Sequence, residues 1–566
     1  MNQATNIENL TVAWCDGIIE TLLLAGAQRF FFSPGYRDAP FAAALKHRDV
    51  ELVSCMDERA AGYLALGAAK HDGKPSVLIC TSGTAVANYL PAVIEAAKEQ
   101  IPLFIISCDR PPELIHVGAN QTIEQGNILG SFAKTSLNLP CPEDNISAPM
   151  LNAMLRRALQ RSLTYPYGVT HINVPLRGPL EPRVHNTKRL EEFLGSRPKV
   201  GFEPISRQGL ATASGFAESL ESFVSQTNKG ILLVGRLPSG TDFSAIENFA
   251  ECLGWPIYSD VSSSLKFSHS QLVDPELKAG QDFLEDYDCD GVIHIGKRLV
   301  SKYWDIYLSK NPEIPSFVVT NESDELNPSF GLQSVYRTES YKELARTWRF
   351  QGKTSSHMGA WLELAQSHLD SETVLHFPSF ANRYLRESEC HNLFLGNSSA
   401  IRAFDTWQFG RLNRRLRIEV NRGVSGIEGL VSTAMGLCLA SGEPWDVVLG
   451  DVSMIHDLNS LLQVSLLNLP LRIFVFNNRG GHIFKKLPLG EYPHVMDPLV
   501  STPHGFSFSG VCADAGISYT QIQDLDGLSH VLSERSSGPQ LIELCSDAAA
   551  DIKFYENIQN LPWKGL

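Results

Sequence analysis

Residues 446–481 read DVVLGDVSMIHDLNSLLQVSLLNLPLRIFVFNNRGG. The apolar runs at 446–450 and 471–476 are typical of buried strands, and the amphipathic segment between them is typical of a helix. Polar residues follow each run: Gly450-Asp451-Val452-Ser453 after the first and Asn477-Asn478-Arg479-Gly480-Gly481 after the second. This order predicts two parallel strands whose carboxyl ends lie at one edge of a sheet.

The same alternation of short apolar runs and amphipathic segments extends over most of the chain. Further predicted strands lie at 29–33, 51–54, 76–81, 103–107, 169–174, 231–235, 291–296, 316–320, 392–396, 416–420 and 540–544. Segments 58–70 and 85–98 have the apolar spacing and alanine content of helices. The alternation predicts an α/β fold with parallel sheets covered by helices on both faces.

Two breaks in this alternation predict three domains. The stretch with Pro175, Pro179, Pro182, Pro198 and Pro204 lacks clear apolar periodicity, which predicts a linker near 185–200. The polar segment 351–357 predicts the second boundary. We therefore expect doubly wound parallel-sheet domains at 1–185, 200–350 and 360–566, as a chain of 566 residues allows.

Charge and composition exclude several classes of partner. The chain has 48 Lys and Arg against 62 Asp and Glu, and a formal charge of −14 disfavours binding to nucleic acid or anionic membranes. No apolar run is long enough to predict a membrane span, and Glu8, Asp16 and Glu20 interrupt the pattern of a signal peptide. The eleven cysteines form no CxxC pair. We expect a cytoplasmic protein.

The polar residues after the two strands of the opening stretch suit a metal and diphosphate site. Ligands of open α/β sheets bind at the carboxyl ends of the strands. A carboxylate from Asp451, an amide oxygen from Asn478 and a carbonyl from Gly480 are hard donors that suit Mg²⁺ with phosphate oxygens. Each turn alone also fits an ordinary connection. Asp451 precedes Asn478 by 27 residues, which resembles the GDG-to-NN signature of thiamine-diphosphate enzymes, with Ser453 nearby.

Enzymes of this type also need a protein carboxylate that is hydrogen-bonded to a ring nitrogen of the cofactor's aminopyrimidine. That group lets the exocyclic amine remove the proton from the thiazolium carbon. In these enzymes the Glu follows the second strand of the first domain, and Glu58 occupies this place at the start of a predicted helix. A lone Glu in a first helical turn is commonly only a partner of the helix dipole, so the metal motif is what favours a catalytic role.

Several further strings carry a closer resemblance. They are Pro34-Gly35-Tyr36-Arg37, Asp57-Glu58-Arg59, Thr81-Ser82-Gly83-Thr84-Ala85-Val86-Ala87-Asn88, Asp109-Arg110-Pro111-Pro112-Glu113-Leu114, Gly118-Ala119-Asn120-Gln121, Asn421-Arg422-Gly423 and Ser425-Gly426-Ile427. The chain resembles the MenD family, the SEPHCHC synthases of menaquinone biosynthesis. The matches follow the expected order from about residue 30 to residue 490 and are densest in the first and third domains.

The resemblance implies an enzyme that joins 2-oxoglutarate to isochorismate, with thiamine diphosphate and Mg²⁺ or Mn²⁺. In that family 2-oxoglutarate is decarboxylated on the cofactor, and the succinyl carbanion equivalent adds to isochorismate in a Stetter-like 1,4-addition. Both substrates are dianions, and arginine binds carboxylates bidentately without losing its charge. The substrate-binding residues implied are Arg37, Arg110, Asn120, Gln121, Lys302, Ser398, Arg402, Arg422, Phe484 and Leu487.

The resemblance also implies the residues around the cofactor. Glu58 is the catalytic residue, and Ile427 is the apolar residue that holds the cofactor bent. Ile483 begins an apolar wall near the reacting centre, which Phe484 and Leu487 continue. The implied cofactor-binding residues are Gly35, Ile427, Ser453, Asn478, Gly480 and Ile483, and the implied metal ligands are Asp451, Asn478 and Gly480. Because the Glu and the metal motif come from different subunits in this family, we expect a homodimer or homotetramer.

Three places depart from the usual pattern of the family. Tyr303 stands where an Arg is common, and Arg298 could take over its contact with a substrate carboxylate. Tyr36 stands where a small Ser is usual. Arg479 and His482 stand within the metal motif, where Asn and Gln are more typical.

Two alternatives stay open beside the implied reaction. A related thiamine-diphosphate-dependent 2-oxoacid decarboxylase or carboligase could use a different donor or acceptor, as Tyr36 and Tyr303 would allow. A scaffold that binds the cofactor without turnover is the other alternative, which Glu58 disfavours. In the central domain the strand and turn at 231–236 could hold a regulatory ligand, but we assign this domain a structural role with Lys302 as its contribution to the site.

Overall fold

The computed structural model contains three parallel sheets, each flanked by helices. The structure describes residues 7, 9–46, 48–143, 145–185, 187–197, 202–209, 215–238, 241–346, 348, 350, 358–407, 409, 412, 414–534 and 537–562. Pro198 and the segment 351–357, which the sequence assigns to domain boundaries, lie outside the described residues.

The first sheet has six parallel strands in the order β2-β1-β3-β4-β6-β5. Its strands are β1 Arg29–Ser33, β2 Glu51–Ser54, β3 Ser76–Cys80, β4 Leu103–Asp109, β5 Ala133–Asn138 and β6 Val169–Pro175. The helices of this part of the chain are α1 Leu10–Leu24, α2 Ala39–Leu45, α3 Glu58–Asp72, α4 Ala85–Asn88, α5 Leu90–Glu99, α6 Ala148–Ser162 and α7 Lys188–Gly195.

The second sheet has five parallel strands in the order β11-β10-β9-β7-β8. They are β7 Gly230–Val234, β8 Ile257–Ser259, β9 Gly291–Ile295, β10 Ser316–Thr320 and β11 Gln333–Arg337. The accompanying helices are α8 Phe216–Gln226, α9 Phe243–Leu253, α10 Lys266–His269, α11 Lys278–Tyr287 and α12 Tyr303–Lys310.

The third sheet has six parallel strands in the order β13-β12-β14-β15-β17-β16, which repeats the strand order of the first sheet. The strands are β12 Asn392–Leu395, β13 Arg417–Val420, β14 Trp445–Gly450, β15 Leu471–Asn477, β16 Ser518–Ile522 and β17 Gln540–Cys545. The helices are α13 Gly359–Asp370, α14 Phe377–Glu387, α15 Ser399–Thr406, α16 Leu430–Ser441, α17 Asp451–His456, α18 Asn459–Leu466, α19 Pro493–Val495, α20 Ser509–Ala515, α21 Leu525–Ser533 and α22 Ala548–Gln559.

The chain divides into two compact units. The first unit comprises residues 1–209, 421–442 and 457–467, and the second comprises 210–420, 443–456 and 468–566. The first unit therefore contains the first sheet together with α16 and α18, and the second unit contains the other two sheets.

Close contact between two glycines joins α3 to α16 within the first unit. A Cβ on Gly67 would lie 1.9 Å from the carbonyl oxygen of Thr433, and a Cβ on Gly436 would lie 2.0 Å from that of Leu64. The two helix backbones can approach this closely only because both positions lack a side chain. This contact fixes the second half of α3, whose first turn carries a candidate catalytic residue.

One apolar core connects both sheets of the second unit. It includes Ile231 and Val292 of the central sheet and Val448 and Phe474 of the third sheet, all buried. The burial of apolar side chains between parallel sheets and their covering helices holds these layers together. No helix in the described part of the chain is long and apolar enough to cross a membrane.

The predicted α/β class with three doubly wound parallel sheets is confirmed, and one local prediction is wrong. The helix predicted at 85–98 is interrupted at Tyr89, because Pro91 cannot donate an amide hydrogen bond to Ala87 in a continuous helix. The stretch at 185–200, which the sequence predicts as a linker, contains α7, whose Phe193 packs against Trp14 with a ring-centroid distance of 5.8 Å.

Candidate active site

Glu58 lies in the first turn of α3, just after β2. Asp57 caps this helix, since its side chain accepts a 2.8 Å hydrogen bond from the amide of Ala60. The Glu58 side chain is half-buried, and burial raises the pKa of its carboxyl, with the charge of Asp57 acting in the same direction. A carboxyl in this setting is suited to share a proton with a ring nitrogen of a ligand.

The loop after β1 brings a second carboxyl with a raised pKa to the same sheet edge. Burial raises the pKa of Asp38 to about 7, and the charge of Glu58 contributes to this increase. One Asp38 oxygen accepts a 2.9 Å hydrogen bond from the amide of Gly35, and the other has no partner among the described residues. A Cβ on Gly35 would lie 2.4 Å from Cβ of Thr81, so the loop requires glycine here. Asp38 was not predicted from the sequence, since no motif marks it.

Arg37 and Arg110 each present a buried nitrogen that lacks a partner. Arg37 is 8% exposed, and its Nη1 donates a 2.8 Å hydrogen bond to the carbonyl of Leu176. Within the described residues, the Nε atoms of Arg37 and Arg110 are buried without a hydrogen-bond acceptor. A buried donor without an acceptor is costly, and a carboxylate ligand would remove that cost.

The predicted residues Asn120 and Gln121 lie on an exposed loop that is tied to the loop after β3. Gln121 donates a 2.9 Å hydrogen bond from Nε2 to the carbonyl of Ser82. The amide of Gly83 donates a 2.6 Å hydrogen bond to Oε1 of the buried Gln125. These contacts hold the exposed loop beside the carboxyl end of β3 in the first unit.

Arg422 and Ile427 lie on the segment before α16, which belongs to the first unit. The buried carboxylate of Glu95 on α5 accepts hydrogen bonds from two amides of this segment, 2.9 Å from Gly423 and 2.8 Å from Val424. Arg422 and Ile427 are both partly buried. Glu95 thus fixes the backbone that carries both predicted residues.

The two halves of the predicted metal motif adjoin in the second unit. Asp451 begins α17 directly after β14, and Asn478 and Gly480 follow the neighbouring strand β15. One Asp451 oxygen accepts a 2.7 Å hydrogen bond from the amide of Val452, and the other accepts a 3.0 Å hydrogen bond from the amide of Gly480. Ser453 is buried on the same helix.

The donor set of this motif fits a hard divalent cation. It offers one carboxylate, one side-chain amide and a backbone carbonyl, which suits Mg²⁺ when phosphate oxygens complete the coordination. Burial raises the pKa of Asp451. Hydrogen bonds from backbone amides and the electrostatic interaction with the nearby His504 partly offset this increase. The described residues hold no group of three His, Cys, Asp or Glu side chains that could bind a metal.

A cavity of about 240 Å³ in the second unit lies next to the metal motif. Lys302 and Arg402 line it, and neither forms an ion pair with a carboxylate of the described residues. Tyr303 lines it as well, with its ring centroid 5.7 Å from Nζ of Lys302. The remaining predicted residues that line this cavity are Asn478, Ile483, Phe484 and Leu487. Two cations and an apolar wall suit a dicarboxylate with a carbon chain.

The predicted site residues are shared between the two units. Those in the first unit are Gly35, Arg37, Glu58, Arg110, Asn120, Gln121, Arg422 and Ile427. Those in the second unit are Lys302, Ser398, Arg402, Asp451, Ser453, Asn478, Gly480, Ile483, Phe484 and Leu487.

Comparisons with known proteins bear on the origin of this arrangement. The family profile "Thiamine pyrophosphate enzyme, N-terminal TPP binding domain" matches residues 14–128, and "Middle domain of thiamine pyrophosphate" matches residues 204–378. The 2-succinyl-5-enolpyruvyl-6-hydroxy-3-cyclohexene-1-carboxylate (SEPHCHC) synthase of Syntrophus aciditrophicus is 34% identical over 98% of this chain and 99% of its own length. The synthase of the same name from Bacillus velezensis is 33% identical over 95% and 96%.

The chain belongs to the SEPHCHC synthase family.

A solved structure agrees with this assignment at the level of the fold. The benzoylformate decarboxylase of Polynucleobacter necessarius superposes with a TM-score of 0.71, covering 94% of this chain and 98% of its own, at 14% identity. That similarity shows the three-sheet fold alone.

In this member of the SEPHCHC synthase family, Arg298 does not line the cavity that contains Lys302. It lines a separate cavity of about 270 Å³ in the central part of the chain, together with His294 and Asp305. The expectation that Arg298 could replace an Arg at Tyr303 is therefore wrong in this structure. Tyr303 itself is the residue that occupies the cavity wall.

The other unusual residues of this family member also have defined contacts. Tyr36 is 63% exposed, and its hydroxyl donates a 2.5 Å hydrogen bond to Glu181. His482 lies in the cavity wall with Nε2 3.0 Å from the carbonyl oxygen of Asn478. Arg479 is exposed, with a left-handed φ of 64°.

Several residues that line this cavity belong to no motif that the sequence reveals. Ser399 lines the cavity, and the predicted Ser398 directly precedes it at the N-cap position of α15 with a φ of 70°. Trp407 follows α15, and Asp551 lies on α22 and accepts a 3.0 Å hydrogen bond from the amide of Phe377. They come from distant parts of the chain, so only the folded structure could bring them together.

Proposed function

We propose that this protein is a SEPHCHC synthase, which decarboxylates 2-oxoglutarate and adds the remaining succinyl unit to isochorismate in a 1,4-addition. The observation that carries this proposal is the cavity in which Lys302 and Arg402 lie beside Asn478, with neither cation in an ion pair with a described carboxylate. Two fixed cations match the two carboxylates of 2-oxoglutarate. The names of its relatives support the same reaction.

We infer that thiamine diphosphate is bound with Mg²⁺ or Mn²⁺. When bound, the cofactor supplies a nucleophilic carbon that stabilises the carbanion formed by loss of carbon dioxide. The side chains of Asp451 and Asn478 and the carbonyl of Gly480 hold the metal, and Glu58 holds a proton at the pyrimidine ring. Ile427 packs against the cofactor, and the other cofactor contacts come from Gly35, Ser453 and Ile483.

The arginines bind and orient the dianionic substrates. Arg37 and Arg110 have buried donors that need an acceptor, and Arg422 is held in place by the backbone contacts of Glu95. Asn120, Gln121 and Ser398 complete the polar contacts. Phe484 and Leu487 exclude water from the reacting carbon atoms, which strengthens each contact between a cation and a carboxylate.

The domain and assembly assignments belong to the same proposal. Residues 1–185 form the pyrimidine-binding domain, 200–350 the central domain and 360–566 the diphosphate- and metal-binding domain. The active unit is a homodimer or homotetramer, in which Glu58 of one subunit serves a cofactor held by Asp451 of another. All eleven cysteines are free thiols, which supports a reducing compartment such as the cytoplasm.

A related enzyme with a different 2-oxoacid donor or acceptor is the second candidate. Tyr303 favours it, because this side chain lines the cavity where the family commonly has an Arg. A tyrosine hydroxyl at this position forms only neutral hydrogen bonds, so it would bind a second carboxylate more weakly than an arginine does.

One experiment separates the two candidates. The purified protein with thiamine diphosphate and Mg²⁺ is given a series of 2-oxoacids, with and without isochorismate, and carbon dioxide and products are measured. SEPHCHC synthase activity predicts turnover of 2-oxoglutarate and a product with the mass of SEPHCHC. Turnover of a different 2-oxoacid, with none of 2-oxoglutarate, would contradict the proposal.

A further inference from the structure

Three carboxyl groups are buried together in the second unit, outside the cavity. Asp260 follows β8, Asp274 lies between α10 and α11, and Asp405 lies on α15; none is more than 1% exposed. The hydroxyl of Tyr258 lies 2.8 Å from an oxygen of Asp405 and 3.4 Å from an oxygen of Asp274. We call these four residues the carboxylate cluster.

The cluster contains more negative groups than positive ones. Lys266 on α10 lies 3.8 Å from Asp405 and 4.2 Å from the centroid of the Tyr258 ring, and no other cation of the described residues forms an ion pair with the three carboxyls. Burial raises the pKa of Asp274 to about 7, with further contributions from Asp405 and Glu276. Such an arrangement is a poor source of stability compared with apolar packing, which points to a different role.

The cluster fixes the backbone on both sides of Lys302. The hydroxyl of Ser301 donates a 2.7 Å hydrogen bond to Asp274 and accepts a 3.2 Å hydrogen bond from the amide of Tyr303. On the other side, the amide of Val300 donates a hydrogen bond to Asp260. Lys302 is thus held between two residues that the buried carboxylates restrain.

The cluster also holds the helix that carries Arg402. Asp405 lies three residues after Arg402 on α15, and its Oδ1 accepts a 2.8 Å hydrogen bond from the amide of Val261. Since Tyr258 connects Asp405 to Asp274, one hydrogen-bonded network links the two elements that carry the cavity cations.

We propose that Tyr258, Asp274 and Asp405, acting through Ser301, are positioning residues that set the separation between Lys302 and Arg402 for the two carboxylates of the substrate. This inference rests on the proposed function for the identity of the substrate. None of the four cluster residues lines the cavity. Their effect is on geometry, because the bidentate contact of Arg402 and the point-charge contact of Lys302 each require the cation at a set distance from a carboxylate.

The sharpest variant is Tyr258→Phe, which removes the hydroxyl and keeps the ring. The chain offers a matched control in Tyr384→Phe. Tyr384 is also fully buried, and its hydroxyl also donates a 2.8 Å hydrogen bond to a buried carboxylate, that of Asp446. Neither Tyr384 nor Asp446 lines the cavity. Ser301→Ala is a second test variant, since it removes the connection between Asp274 and the amide of Tyr303.

The holoenzyme is titrated with glutarate, a dicarboxylate that lacks the reactive keto group, and binding is measured by calorimetry. We expect the Kd for glutarate to rise about tenfold in Tyr258→Phe and Ser301→Ala, and to change less than twofold in Tyr384→Phe. In turnover assays KM for 2-oxoglutarate rises by the same factor while kcat changes less than threefold. A purely structural role would lower the melting temperature of both tyrosine variants and leave the Kd alone.

The outcomes separate this inference from the proposed function. Altered glutarate binding without turnover of 2-oxoglutarate by the wild type would support the positioning role and contradict the reaction. Turnover by the wild type with unchanged glutarate binding in Tyr258→Phe and Ser301→Ala would overturn the positioning role. Equal weakening by Tyr258→Phe and Tyr384→Phe, or no glutarate binding by the wild type, would overturn it as well.

Discussion

The amide of Gly480 donates a 3.0 Å hydrogen bond to the carboxylate of Asp451, although 29 positions of the chain separate the two residues. The contact joins the loops after two adjacent parallel strands, β14 and β15. It places the carboxylate and the turn at Asn478 side by side. This arrangement suits the metal site that we propose.

Removal of this carboxylate is expected to abolish metal-dependent cofactor binding. In Asp451→Ala the hard anionic ligand is lost, and the affinity for thiamine diphosphate in the presence of Mg²⁺ should fall on the order of 100-fold. Quenching of tryptophan fluorescence by the cofactor measures this affinity. Treatment of the wild type with a chelator should give the same loss and Mg²⁺ should reverse it, whereas unchanged binding in Asp451→Ala would exclude Asp451 as a ligand.

The cavity cations are expected to act on substrate affinity. Arg402→Ala removes one charge-assisted contact, so KM for 2-oxoglutarate should rise roughly 10- to 100-fold. Arg298→Ala is the matched control, because Arg298 lines a different cavity, and its KM should stay within twofold of the wild type. Steady-state kinetics give KM for both variants. Equal increases of KM in the two variants would argue against the assignment of Arg402.

Stability is expected to fall as pH rises from about 4 toward 7. The pKa values of Asp260 and Asp274 are raised to about 6 and about 7 from the ordinary value of 3.8, mainly by burial. The folded state favours their neutral forms, so this contribution is complete below about pH 4 and is lost as pH rises toward 7.

Asp274→Asn tests this dependence, since an amide cannot ionise. Its melting temperature should decline less between pH 5 and pH 8 than that of the wild type. Asp514→Asn, at an exposed position on α20, should leave the wild-type slope unchanged. Thermal denaturation monitored by circular dichroism gives the slopes, and parallel curves for Asp274→Asn and the wild type would contradict the prediction.

The close approach of α3 and α16 is expected to tolerate no side chain. Gly67→Ala forces a Cβ toward the carbonyl of Thr433, and the free energy of unfolding should fall by about 1–3 kcal/mol. Gly510→Ala lies on α20 in open space, so it should be neutral or slightly stabilising. Denaturant titration compares the two, and a neutral Gly67→Ala would show that the helices can separate at little cost.

The central strands were predictable because their burial on both faces produces continuous apolar runs. β3 and β15 are examples, with every residue buried. The edge strands β5 and β16 were missed, since most of their residues are exposed or only partly buried and the sequence there is mixed. β8 was missed because it has only three residues.

The site was predictable where its residues directly follow predicted strands. Asp451 and Asn478 belong to this class, as the carboxyl ends of adjacent parallel strands must share an edge. Asp38 in the first unit and Trp407 in the cavity wall of the second unit were not predictable, because burial and packing place each of them and no local pattern marks them. Ser399 in the cavity wall was not predicted either, since the sequence does not reveal the positive φ of Ser398 directly before it.

The most direct measurement compares the wild type with Glu58→Gln in a reaction that contains thiamine diphosphate, Mg²⁺, 2-oxoglutarate and isochorismate. The variant keeps the size of the side chain and loses its acid. We expect SEPHCHC formation by the wild type and a rate lower by about 10²- to 10⁴-fold in Glu58→Gln, with cofactor binding retained. No product from a wild type that demonstrably binds the cofactor, or equal rates for both proteins, would contradict it.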